Sequence, residues 1–467
     1  MFPELFKKSS DFTEIEKDVE ASSLRKIHET QKALNTSIKE GTYSNISANI
    51  GGSYITPFAL ALNSTPFQIG LLTSLSSLAR PLSQLFGSEL LEKKSRKKIV
   101  LAFVLLEAIM WLPILALSYL FIKGFAITTV PYLLIALYTI LSIFGGVSYP
   151  AWFSWMGNLV PEKDRGRYFG IRTKISGFIA LAAVILSAFF LDYFKTKGLA
   201  LLGFSILFAL AFTFRFIAFL LFKKQYSPKF KQEKTKDYSF VSFILSKENY
   251  TKFTIYQFFF HFALMIASPF FAVYMLESLN FSYTTFIIVS MSSSVFYLAL
   301  SPLMGKFADR FGNMKLLYIS TIFFASYPLF WLFIKSPIWI IAIPQLISGI
   351  GNAAFLITFT KFTYDSLPEQ KRAIGITYTN IMIGIGMFMG SLLGGILIKY
   401  SSIFVSLNSF FLVFIISAIL RLILPLSILS KIKDVKKTQK LPPIHIELSH
   451  PLRTIQAEIS WFRRITQ

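Results

Sequence analysis

His261 is the one histidine inside a long apolar run, and Glu107 and Arg80 are ionisable groups inside two others. Ionisable groups at membrane depth are expensive, so each is a functional candidate by default. An imidazole changes charge near physiological pH, which suits His261 to proton coupling or substrate contact. The plainer reading is a hydrogen-bonded packing histidine. Glu107 and Arg80 lie at similar depth, about eight residues from the same end of their runs, and could neutralise each other as an intramembrane ion pair. Glu107 is also a proton-coupling candidate. Arg215 and Arg421 lie about two turns from the end of their runs, where a long side chain is expected to snorkel to the interface.

The other candidates are uncharged. Asn49, Tyr54, Trp152, Tyr256, Gln257, Tyr297, Asn352 and Asn380 are amide or aromatic groups within apolar runs. Such a lining can hydrogen-bond a sugar or hold an amphipathic drug. It lacks the basic cluster that a dianionic substrate needs. Each of these residues also has a packing reading. Other chemistries find no support. The chain has no Cys, which excludes a disulfide, a thiolate nucleophile and Cys-ligated zinc. Four scattered His do not make a metal centre. A Walker-type phosphate loop is absent, so no ATP-driven pump and no cofactor are expected.

The elements that carry these residues follow from composition. Of 467 residues 54% are hydrophobic and only 15% charged, against about a quarter charged in soluble domains. Fifty-one Phe are too much apolar surface for one soluble core; spans of about 20 residues are the natural sink. Twelve apolar runs are long enough, near 42–63, 67–89, 98–122, 127–158, 166–194, 199–222, 251–277, 283–305, 313–335, 338–364, 372–399 and 403–429. They must be helices, because lipid offers no partner to an open backbone. The polar stretch 223–250 links two groups of six.

The net charge of 47 − 24 = +23 is arranged by side. Connections after even-numbered spans carry Lys93, Lys94, Arg96, Lys97, Lys98, Arg165, Arg167, Arg172, Lys174, Lys306, Arg310, Lys315, Lys371 and Arg372, with the linker lysines. The opposite side has Lys123, Lys195, Lys197, Lys335 and Lys399. The asymmetry predicts a cytoplasmic linker and cytoplasmic termini, and it removes the need for a nucleic-acid partner. The first residues lack an apolar h-region, so a cleaved signal peptide is not expected.

The chain repeats itself. Asn158-Leu-Val-Pro161-Glu162-Lys-Asp-Arg165-Gly166 recurs as Asp365-Ser-Leu-Pro368-Glu369-Gln-Lys-Arg372-Ala373, offset by 207, and Arg215 recurs as Arg421, offset by 206. Parallel duplicated halves about an axis normal to the membrane are a transporter architecture, with a site between them near the midplane.

At this point the sequence resembles the major facilitator superfamily over roughly 40–430. Gly305-Lys-Phe-Ala-Asp309-Arg310-Phe-Gly312-Asn-Met-Lys315 looks like that family's motif A. Its first-half counterpart, Gly87-Ser-Glu89-Leu-Leu91-Glu92-Lys-Lys-Ser-Arg96-Lys97, is degenerate, with Leu91 and Glu92 at the Asp and Arg positions. Gly386-Met-Phe-Met-Gly390-Ser391-Leu-Leu-Gly394-Gly395 resembles the antiporter motif, in span eleven rather than span five; close packing through small residues is the alternative.

The resemblance implies an all-α membrane protein with twelve transmembrane helices in two six-helix pseudo-symmetric halves, the major facilitator fold. The organisation expected is a cytoplasmic segment 1–40, halves 41–222 and 251–429 joined by 223–250, and a tail 430–467 in which Leu452, Ile455, Ile459 and Phe462 form one helical stripe. It also implies a cytoplasmic gate. Arg310 should meet Asp365 within the second half, and Asp309 should reach the start of span five near Arg165 and Gly166 when that side is closed. The expected activity is secondary transport of a small or amphipathic solute by alternating access, coupled to protons, with efflux favoured. A sugar or metabolite uptake permease is the alternative carrier. A non-transporting membrane sensor or a membrane enzyme is the alternative of another class. A monomer in the plasma membrane is expected, with the bilayer and a small-molecule substrate as partners.

Overall fold

The computed structural model describes residues 7–125, 127–161, 164–228, 239–246, 248–404 and 408–435. Twelve long helices account for most of them: α1 (Lys7–Ala61), α2 (Pro66–Lys93), α3 (Arg96–Ile122), α4 (Val130–Leu159), α5 (Arg165–Thr196), α6 (Ala200–Lys224), α7 (Asn249–Ser278), α8 (Tyr283–Phe311), α9 (Asn313–Phe330), α10 (Pro337–Ser366), α11 (Glu369–Phe404) and α12 (Ser409–Leu429). A short helix, Phe240–Leu245, precedes α7.

Nine of the twelve are long and apolar enough to cross a membrane; α1, α2 and α9 are not among them. α2 carries Gln68, Arg80 and Gln84 besides several hydroxyl residues. Its Thr73, Ser76, Ser83 and Ser88 donate back to carbonyls of the preceding turn, so the helix carries few unsatisfied groups. Prolines shape the longer helices. α3 bends at Met110, because Pro113 has no N–H for the Ile109 carbonyl and its ring crowds that oxygen. α10 widens into a π turn over Ile341–Gln345 around Pro344 for the same reason.

Within the first half α1 packs on α5 and α6, α2 on α4, and α3 on α4 and α6. The second half repeats every pair: α7 on α11 and α12, α8 on α10, α9 on α10 and α12. The duplication extends to single bonds. Arg165 donates to the Gly157 carbonyl at 2.8 Å and Arg372 to the Tyr364 carbonyl at 3.4 Å, donor and acceptor each offset by 207.

The glycine-rich run of α11 is a packing surface. A Cβ at Gly386, Gly390 or Gly394 would lie 2.5, 2.2 or 2.1 Å from the carbonyls of Phe258, Phe262 and Ile266 on α7. The small residues therefore let two backbones touch.

Several boundaries differ from the sequence reading. No break separates 7–40 from the first span, because α1 runs from Lys7 to Ala61 without interruption. The start of the linker is pinned: Arg96 donates to the Ser154 and Pro228 carbonyls, Lys97 to Gln225, and the Trp155 indole to Tyr226. Asp309 and Arg310 lie in the last turn of α8, not in a loop, since Gly312 alone joins α8 to α9. Its φ of +101° is open only to glycine, and it turns the chain in one residue. Lys399, expected in a connection, is inside α11 with its ammonium 5.2 Å from the Phe67 ring. The stripe of Leu452 to Phe462, and Glu162, lie outside the described residues.

Candidate functional site

The two halves meet mainly through α2 with α11 and α5 with α8. Along α2 the contact stripe is Phe67, Gly70, Ser77 and Pro81. A Cβ at Gly70 would be 2.8 Å from the Ser391 carbonyl, and one at Gly384 would be 2.5 Å from the Pro81 ring. Leu85, one turn further along that stripe, is 37% exposed. On the side away from the termini, Asp192 of α5 accepts the Tyr283 and Thr284 N–H groups of α8 at 2.7 and 2.8 Å. A carboxylate there satisfies orphan donors at the positive end of a helix belonging to the other half. Lys195 lies 5.1 Å from the Tyr283 ring. On the terminus-bearing side, a Cβ at Gly166 or at Gly305 would meet nothing within 4 Å. The interface is bonded at the end away from the termini, while at the other end neither Gly166 nor Gly305 has a close neighbour.

The ion pair expected between Arg80 and Glu107 is made by a different arginine. Glu107 pairs with Arg215 of α6, both side chains being only 12–13% exposed. Arg215 also donates to the Ser44 hydroxyl at 2.8 Å. Arg80 is exposed. Its guanidinium borders the same gap, for a Cβ at Gly145 would be 3.4 Å from Glu107 Oε1 and 3.6 Å from Arg80 Nη2. Arg80 of α2 and Glu107 of α3 thus both border Gly145, and Arg215 of α6 holds the second oxygen of Glu107. The expected snorkelling also fails, because both arginines turn inward. Arg421 is 1% exposed and donates to the carbonyls of Phe324 and Leu264, both at 2.9 Å.

On α7 the residues Gln257, His261, Leu264, Ser268 and Met275 follow one another at helical spacing and share a stripe. The last three line a cavity of about 350 Å³ with Asn352 of α10 and Arg421 of α12. His261, one turn before them, is half-buried. Its Nδ1 pairs with the Gln257 carbonyl at 2.8 Å, and its ring meets Phe260 and Phe355 edge-on. Gln257 is fully buried with neither amide atom partnered.

Two expected lining residues are structural instead. Tyr54 is fully buried with its hydroxyl donating to the Val184 carbonyl at 2.6 Å, and Tyr256 is fully buried against the Thr321 hydroxyl at 3.0 Å. Asn49 and Asn352 donate to carbonyls of the preceding turn. The Trp152 ring lies 4.9 Å from the Arg172 guanidinium. Tyr297 and Asn380 are half-buried.

Among the gate residues, Asp309 pairs with Lys361 of α10, inside its own half. Arg310 lies over the Phe311 ring, and Asp365 accepts from the Asn313 amide at 3.4 Å. Sequence reasoning missed four polar contacts: Asp192 with α8, Lys361 with Asp309, Glu40 with Arg172 at 3.0 Å, and Asp434 with α9. The last accepts the Asn313 and Met314 N–H groups at 3.2 Å and so caps α9. Burial raises the Asp434 carboxyl above its ordinary value, against the lowering effect of those two bonds. No group of three or more His, Asp or Glu with metal-holding geometry occurs among the described residues.

The family model of the Major Facilitator Superfamily matches residues 42–251 and 253–458. No curated protein sequence matches the chain. Among solved structures, the crystal structure of nucleoside transporter NupG is similar at 15% identity and a TM-score of 0.63, covering 85% of this chain and 99% of that one. A bacterial homolog to human lysosomal transporter Spinster, inward-facing and occupied, is similar at 14% and 0.59, covering 86% and 96%. A bacterial homologue of iron transporter ferroportin, inward-facing, is similar at 13% and 0.61, covering 85% and 98%.

Proposed function

Because this chain belongs to the Major Facilitator Superfamily and is a multi-pass secondary transporter, we propose that it carries a small or amphipathic solute by alternating access, coupled to protons, with efflux favoured over uptake. The observation that carries the reading is the one-sided closure, with α2–α11 and the Asp192 latch shut at one end and Gly166 and Gly305 free at the other. In this reading the membrane is the plasma membrane and the basic connections face the cytoplasm, which makes the conformation inward-open.

His261 is the coupling residue in this proposal. It sits on the α7 stripe that continues into the polar cavity, beside the unpartnered Gln257 amide. Glu107 is the weaker candidate, because its carboxylate is already held by Arg215. A substrate-library thermal-shift screen at two pH values would find the solute, since a ligand of the folded state raises apparent stability. Transport of that solute into proteoliposomes with an internal pH dye then tests the mechanism. The reading expects proton movement with the solute and a changed pH profile in His261→Gln. Solute flux with no proton movement, or an unaltered profile in the variant, would remove the coupling.

A further inference from the structure

The two halves treat their matching arginines differently. Arg215 is neutralised by Glu107. Arg421 is 1% exposed and meets only the carbonyls of Phe324 and Leu264, its Nε is unpartnered, and among the described residues no carboxylate pairs with it. The internal register explains the difference. Gly87 matches Gly305 and Lys97 matches Lys315, each offset by 218, so Glu107 matches Ala325. Ala325 is buried and follows the residue whose carbonyl Arg421 holds. The whole of α9 has no Asp or Glu. The second half has kept the arginine and lacks its carboxylate.

A guanidinium without a counter-charge is costly in such a place. Arg421 is, however, in the wall of the cavity of about 350 Å³, a volume within the usual range for small-ligand sites. Tyr327, Gln345, Ser348, Asn352 and Ser293 share that wall and supply hydroxyl and amide groups. We propose that this cavity, inside the second half, binds one monovalent anion against Arg421. The single fixed charge selects a monoanion over a dianion. The shared chemistry could be met by a free halide or by the carboxylate of an organic solute. The proposal does not depend on the direction or the coupling of transport, and its test is a binding measurement.

The test is thermal unfolding of the purified full-length protein titrated with sodium chloride, sodium acetate and, as a neutral isostere of acetate, acetamide. Each titration is repeated on Arg421→Gln and on Ala325→Glu, which restores the carboxylate found in the first half. The wild type is expected to gain stability with the logarithm of anion concentration, while acetamide does nothing. Both variants are expected to lose that response. Ser293→Val, which alters the wall without touching the charge, is expected to raise the half-saturating concentration by about tenfold and keeps the proposal testable should the charge variants not fold. A response to acetate alone identifies a carboxylate site, and one to chloride alone a halide site. Both support the inference. No response to either anion, or one that persists undiminished in Arg421→Gln, overturns it.

Discussion

Arg215, not Arg80, neutralises Glu107, and stability measurements separate the two. Glu107→Gln leaves a guanidinium that is only 13% exposed without its partner. Removing one member of a buried pair costs about 3–5 kcal/mol, whereas removing an exposed charge costs about 0–1 kcal/mol. Glu107→Gln should therefore lower the unfolding midpoint in detergent by many degrees and Arg80→Gln by few. A loss in Arg80→Gln as large as that in Glu107→Gln would return Arg80 to the pair. Tyr54→Phe should lose about 1 kcal/mol, the worth of one buried hydrogen bond, with no change in the KM of transport, since its hydroxyl is spent on Val184. These partners were hard to read from sequence for a physical reason. Counting residues gives the depth of a group in a helix. It does not give the rotation of that helix about its axis, and Arg80, Arg215 and Glu107 all lie at similar depth.

At the scale of the helix, the proposed mechanism uses two carboxylates as opposed latches. Asp192 caps α8 from the other half. Asp192→Asn keeps one acceptor and loses the charge, so it should loosen the shut end and raise the outward-open population. Asp309 pairs with Lys361 in the present conformation, and in the proposed closed one it would turn to the N-terminus of α5. Lys361→Met should then favour closure of the terminus-bearing side, and Asp309→Asn should oppose it. Asp309 is exposed and Lys361 half-buried, so each shift should be at most about fivefold, or about 1 kcal/mol. Distances between nitroxides at Gly170→Cys on α5 and Lys306→Cys on α8, read by double electron–electron resonance, measure it. The chain has no native Cys to interfere. Distances that move the same way in both variants would sink the latch account. Motif A was legible because its glycine is dictated by backbone geometry at Gly312. The Asp192 latch was not, because its partners are backbone N–H groups 91 and 92 residues away, which leave no mark on side-chain identity.

Across the whole molecule, the repeat and the basic asymmetry expose the architecture before any coordinate is known. Pro161 and Pro368 each end a helix, and Arg165 and Arg372 then make the same bond. The conformation is another matter, since one sequence must encode both an inward-open and an outward-open packing of the same halves. The length of α1 bears on that exchange. It is stapled to α5 by Glu40 with Arg172, and by Tyr168 with the Leu34 carbonyl, yet it runs on without a break to Lys7. At 1.5 Å per residue the stretch beyond Leu34 is roughly 40 Å long. It is a lever. A rigid-body rocking of about 15°, as in other subunit rotations, would swing its tip by roughly 10 Å. A fluorophore at that tip would turn each half-cycle of the carrier into a displacement large enough to follow one molecule at a time.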